Sequence, residues 1–214
     1  MEAFHNDPII KEKYITRLNE HYQADEIIQG QYWENGKGCA VGCTIHSSNH
    51  EEYESKLGIP ENIAYLQDSI FESLPNNLAK EFPIEFLSAI KVGADLKNVS
   101  KLFMIWVLTD SKYGVLQYAD NKKIVQDVAN ALLQDMVTPV SVEEWEELRK
   151  NADNAYPAAS NFVAYYAAYS AAAYSAAAFS AAIHAASACI SNNTKSEYYI
   201  AASNKLIELL KNSN

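Results

Sequence analysis

From Asn154 to Thr194 the chain carries no Asp, Glu, Lys or Arg. Most of this tract is Ala, Ser and Tyr. A short repeat runs through it: Tyr169-Ser170, Tyr174-Ser175 and Phe179-Ser180, each separated by three alanines. Alanine is the best helix former, and the aromatic rings need burial, so the tract is not a disordered linker. Ala, Ser and Tyr transfer weakly into lipid and the flanks lack basic anchors, so a membrane span is not expected despite the length. The remaining reading is one long helix over approximately residues 157–191 whose small side chains let neighbouring helices approach closely. A five-residue repeat advances about 140° on an α-helix. Tyr169, Tyr174 and Phe179 therefore spiral round the axis, which suits a helix surrounded on several sides and not a flat lattice-matching face.

The rest of the chain reads as helices too. Only 7 glycines and 6 prolines punctuate 214 residues, which implies few, long elements. Apolar spacings of three and four predict a helix over 9–30, broken near Asp25. Gly58 caps a polar helix over 49–57, and Pro60 opens the next, with Ile63, Leu66, Ile70, Phe71 and Leu74 on its buried face. Pro75 ends that helix, and Pro83 restarts a short one through Ile90. Asp95 is the expected N-cap of an apolar helix reaching Leu108. An amphipathic helix follows over 120–137. Ser141 and Glu144 form a capping-box pattern for 142–150, and a last helix covers 195–212. The expected fold is all-α: an irregular multi-helix bundle of about eight helices in a single helical domain, 1–214. The Ala/Ser/Tyr-rich helix lies in its core or at an interface.

The formal charge is −10, with no local cluster of Lys and Arg. Phosphate backbones and anionic membranes repel such a surface, so neither nucleic acid nor membrane is an expected partner. The three cysteines fit a reducing, cytoplasmic setting better than a disulfide framework. The polar N-terminus does not read as a signal peptide.

Chemistry concentrates in one segment, Gly36 to His50. It holds Cys39, Cys43, His46 and His50 at spacing i, i+4, i+7, i+11. On a helix these four share one face, but Cys39 and His50 lie roughly 16 Å apart along the axis. One metal ion with ligand bonds near 2 Å could not reach all four unless a loop intervenes at Gly42 or after His46. Three readings stay open. The four residues form a transition-metal site, with Zn the default for Cys and His ligands. Alternatively Cys39, after a glycine-rich turn and near Lys37, is a nucleophile with His46 or His50 as its base. Or the four are an inert buried stripe, since cysteine packs as a small hydrophobe.

Other patterns are weaker. No H-E-x-x-H, P-loop, G-x-G-x-x-G or G-x-S-x-G motif is present. Asp68 and Glu72, one helical turn apart, could chelate a cation but read first as an exposed face. Glu143, Glu144, Glu146 and Glu147 read as a solvated face, and His184 as a neutral core histidine.

The run from Tyr32 through Lys37-Gly38-Cys39-Ala40-Val41-Gly42-Cys43-Thr44 to His46 resembles a set of uncharacterised bacterial and phage proteins. Tyr53-Glu54, Leu57-Gly58-Ile59-Pro60, Ile70 to Pro75, Ala94-Asp95-Leu96 and the late Ala/Ser/aromatic tract extend the likeness over most of the chain. The resemblance implies a bacterial or phage origin and a cytoplasmic setting, and carries no catalytic role to any residue. The function expected from sequence is a binding or interaction module, with a protein partner or a second copy of the chain. The alternative is an enzyme or metal-binding protein using the Cys39, Cys43, His46 and His50 segment.

Overall fold

The computed structural model describes residues 2–155, 162–173, 175–190 and 194–214. Among the described residues, eleven α-helices, two short 3-10 turns and one minimal hairpin make up an irregular helical bundle. In chain order the helices and strands are α1 (Pro8–Gln23), β1 (Trp33–Glu34), β2 (Lys37–Gly38), α2 (Ala40–Ile45), α3 (Glu52–Leu57) and α4 (Glu61–Phe71). Then follow α5 (Asn76–Ala89), α6 (Val99–Thr109), α7 (Lys122–Asp135), α8 (Val142–Ala155), α9 (Phe162–Ala173), α10 (Ala176–Ala188) and α11 (Lys195–Asn212). Among the described residues no helix is long and apolar enough to cross a membrane.

The chain divides into two compact units. One comprises Met1–Val99 and Tyr199–Asn214, the other Ser100–Tyr198. In the first, α2 is the hub: it packs against α1, α4 and α5, and every residue from Ala40 to Ile45 is buried. Phe4, fully buried, sits in a left-handed stretch with His5 and Asn6. The Ala3 amide donates to Ala94 O at 3.0 Å, which pins the start of the chain to residues 93–95.

In the second unit α9 packs against α7, α8 and α10. Ala164, Ala167, Ala168, Ala171 and Ala172 are buried there, so small side chains do bring helices together on several sides. The tract is not one helix, however. α9 ends at Ala173 and Ser175, with extended backbone, caps α10 by accepting the Ala178 amide at 3.3 Å. A serine hydroxyl that satisfies an orphan amide makes such a break favourable even in an alanine-rich run. Residues 157–161, Tyr174 and 191, part of the expected long helix, lie outside the described residues. Tyr169 is exposed while Phe179 is buried.

Several local signals hold. Gly58 ends α3 in the left-handed region at φ 63°, and the Glu144 amide donates to Ser141 Oγ at 3.1 Å. Asp25 breaks the chain after α1 at φ 56°. Two differences in helix boundaries have physical causes. α5 runs straight through Pro83, because burial of Ala79, Phe82, Pro83, Phe86 and Leu87 outweighs one lost backbone bond. α6 starts at Val99, since Asp95 spends its carboxylate on the Lys97 amide in a preceding turn. His184 is exposed and is not a core histidine. The four glutamates of α8 are exposed, as a solvated face should be.

Candidate metal centre

The site begins with the hairpin. Asn35 (φ 53°) and Gly36 (φ 82°) occupy a two-residue turn joining Glu34 to its partner Lys37. Positive φ at both central residues is the turn that matches strand twist, and Asn-Gly favours it. The returning strand places Gly38, and the first turn of α2 places Gly42, against the Tyr32 carbonyl. A Cβ on Gly38 would lie 2.0 Å from Tyr32 O, and one on Gly42 1.8 Å. Only hydrogen at both positions permits this approach. The Cys39 amide, between them, donates to Gln31 O at 2.7 Å and to Tyr32 O at 3.0 Å.

Cys39 is thereby fixed as the N-cap of α2, with Sγ accepting from the Gly42 amide at 3.4 Å and only 1% of the residue exposed. Packing of α2 on α4 brings it to Asp68 and Glu72. Cys39 Sγ, one Asp68 oxygen and one Glu72 oxygen all lie within 4.8 Å of one another. Asp68 also approaches His50, with Oδ2 3.2 Å from Nε2. That pair is close without being aligned: neither His50 Nε2 nor Asp68 Oδ1, both buried, has a hydrogen-bond partner. His50 stacks on Tyr65 at 4.4 Å and meets the edge of Tyr32. A cavity of about 190 Å³, lined by Gly30, Gln31, Tyr32, Asp68 and Glu72, opens on the cluster.

The electrostatics are those of crowded acids. Burial pushes the Cys39 thiol far up, the Asp68 charge adds to this, and the Gly42 amide opposes it. Glu72 is exposed overall, but its carboxylate turns onto the Gly30 amide at 2.7 Å. Lost hydration there raises its pKa, the Gly30 bond counteracts this, and Asp68 raises it further. Such a set suits a proton or a cation, and not three free negative charges.

The structure therefore regroups the four residues singled out in sequence. α2 spans six residues and ends at His46 in the left-handed region (φ 54°), so no single helical stripe exists. Cys39 and His50 both reach Asp68, whereas Cys43 and His46 face Glu26 and His21. The buried Cys43 thiol donates to Gly38 O at 3.3 Å and Glu26 O at 3.5 Å, and burial pushes it up to about 12. His46 Nε2 lies 2.8 Å from His21 Nε2, and its ring stacks on Trp33 at 4.4 Å. Asp68 and Glu72 had one sequence signal, their one-turn spacing. Nothing in sequence distinguished His21 or Glu26.

The chain matches no family model, no curated protein and no solved structure.

Proposed function

We propose that this is a metal-binding protein whose centre is Cys39, Asp68 and Glu72, with a divalent cation of the zinc type. The observation that supports it is the meeting of a buried thiol and two carboxylates within 4.8 Å. The partnerless, buried Asp68 Oδ1 adds to it, because a buried carboxylate oxygen without a donor is costly unless a cation or water takes it. Ligand bonds of about 2.0–2.3 Å to Zn would need the three atoms to close by roughly 1 Å. The raised thiol pKa runs against a free nucleophile, and a bound cation would have to offset the same cost, since coordination deprotonates a thiol outright. Three protein ligands leave a position toward the cavity beside Gly30, Gln31 and Tyr32, the pattern of an open site that holds water or substrate. His50 Nε2, 3.2 Å from Asp68 Oδ2, adds a nearby imidazole outside the three ligands.

A bacterial or phage cytoplasm, which the sequence resemblance implies, would keep Cys39 reduced. The test is elemental analysis of untagged protein prepared without chelator, followed by Zn titration. About one equivalent of metal, lost in Cys39→Ser and Asp68→Asn but kept in Cys43→Ser, is the expected result. Equal metal content in wild type and Cys39→Ser sinks the reading.

A second reading, an interaction module, is favoured by exposed apolar side chains where α7 meets α8. Leu133 is 48%, Val137 88% and Val142 68% exposed. Light scattering over a concentration series tests it, and a constant monomer mass would count against self-association.

A further inference from the structure

Away from the Cys39 cluster, three side chains from two stretches of chain form a hydrogen-bonded series. Glu26 Oε2 lies 2.6 Å from His21 Nδ1, and His21 Nε2 lies 2.8 Å from His46 Nε2. The protons in this series follow from valence. A carboxylate only accepts, so His21 Nδ1 carries a hydrogen and donates to Glu26. In neutral His21 the other nitrogen is then an acceptor, so His46 Nε2 carries a hydrogen and donates to it. That leaves the lone pair of His46 on Nδ1. Stacking on Trp33, at 4.4 Å and 8° from parallel, holds the ring in this pose. His46 is itself exposed.

The surroundings of His46 are cationic at the two residues before it. Arg17 Nη1 donates to Thr44 O at 2.8 Å, and Lys56 Nζ donates to Ile45 O at 3.0 Å. The opposing charges are Glu26 itself and Glu52, which pairs with Lys56 and accepts from Ser47. Partial loss of hydration around the stacked ring, with the charges of Arg17, His21 and Lys56, holds the otherwise exposed His46 down to about 4, against the pull of Glu26, so it is neutral at physiological pH. A neutral imidazole with a directed lone pair, a relay behind it and two cations beside it has what an attack on an anionic electrophile requires.

We propose that Glu26, His21 and His46 are a relay that makes His46 Nδ1 a nucleophile toward phosphoryl groups, accepting one from a small donor of the phosphoramidate or acyl-phosphate class. The Nδ1 lone pair attacks phosphorus and forms the N–P bond. The bond from phosphorus to the leaving atom of the donor breaks, and its electron pair departs with the leaving group. The Nε2 proton of His46 passes to His21 Nε2, and the imidazolium so formed is held by the Glu26 carboxylate. Arg17 and Lys56, held on the carbonyls of Thr44 and Ile45, supply positive potential near His46 for the incoming phosphoryl oxygens. His21 and Glu26 act through His46 and are positioning residues. This inference does not depend on the metal centre.

The experiment incubates the full chain with phosphoramidate at neutral pH and measures phosphohistidine at His46 and at His5, an exposed histidine in the same molecule, by peptide mapping in alkali. His46 is expected to react at least about tenfold faster than His5, a modest share of what a positioned base contributes. Glu26→Gln should lower the His46 rate about tenfold and leave His5 unchanged, with partial rescue in Glu26→Asp. Equal rates at His46 and His5, or no label at His46 under conditions that phosphorylate free imidazole, overturn the proposal. So does a Glu26→Gln variant of native helicity that reacts like wild type. If that variant fails to fold, the wild-type ratio decides alone.

Discussion

Replacing Gly42 with alanine sets two effects against each other. Gly42 lies inside α2, where alanine is the better helix former by about 1 kcal/mol. Packing points the other way. The new methyl carbon would stand 1.8 Å from Tyr32 O, 2.9 Å from Tyr32 C and 3.2 Å from Trp33 Cβ. Ordinary contact begins near 3.4 Å, so α2 and the 31–33 backbone must part by more than about 1 Å. Overpacking with backbone movement costs typically 1–3 kcal/mol. The Cys39 amide bond to Tyr32 O weakens as well, at a cost of about 1 kcal/mol. With the propensity gain set against these, Gly42→Ala should destabilise by roughly 2 kcal/mol. Urea denaturation followed by tryptophan fluorescence reads this directly: at a slope of about 2 kcal/mol per molar, the midpoint falls by about 1 M. Because Tyr32 borders the cavity, Zn uptake should fall in the same variant. A Gly42→Ala protein as stable as wild type would refute the claim that close backbone approach at α2 organises the site.

The remaining predictions concern protons and caps. His46 has a folded pKa depressed to about 4, against about 6.5 unfolded. Between those values the unfolded chain binds the extra proton, so stability rises with pH. The contribution is whole above about 6.5 and is lost as pH falls through about 4. His46→Gln should flatten this slope in thermal melts at pH 4 to 7, and an unchanged slope would assign it to other groups. Zn affinity should climb about tenfold per pH unit for the thiol proton displaced, because burial makes Cys39 hold it more tightly than usual. Competition titrations with a chromophoric chelator at pH 6 to 8 check this, and a pH-independent constant would exclude a thiolate ligand. Ser175→Ala removes the cap of α10 and should cost about 1 kcal/mol by thermal melt. A neutral result would mean that packing alone sets the break.

Much of the architecture was legible because it rests on local chemistry. The caps at Gly58 and Ser141, the breaks at Asp25 and Pro75, and the helix over 195–212 each depend on residues a few positions apart, and the structure has them where the pattern puts them. Asn35-Gly36 carried an equally local hairpin signal, masked in a chain whose other elements are helices. Where local preferences competed, tertiary burial or a competing side chain decided. Pro83 should open a helix, yet α5 passes through it because four neighbouring apolar side chains are buried on that face. Ala-rich sequence should propagate, yet Ser175 offers its hydroxyl to a helix start.

The sequence alone determined that this chain is helical, acidic and built round small residues, and that Cys39 to His50 is its chemically dense stretch. Those properties follow from composition and from spacings shorter than a few helical turns. Only the tertiary structure decided the partners within that stretch. Cys39 meets Asp68 because α2 packs on α4, and His46 meets His21 because α2 packs on α1. Such meetings depend on how helices cross, and crossing is set by burial over whole faces, which no short spacing records.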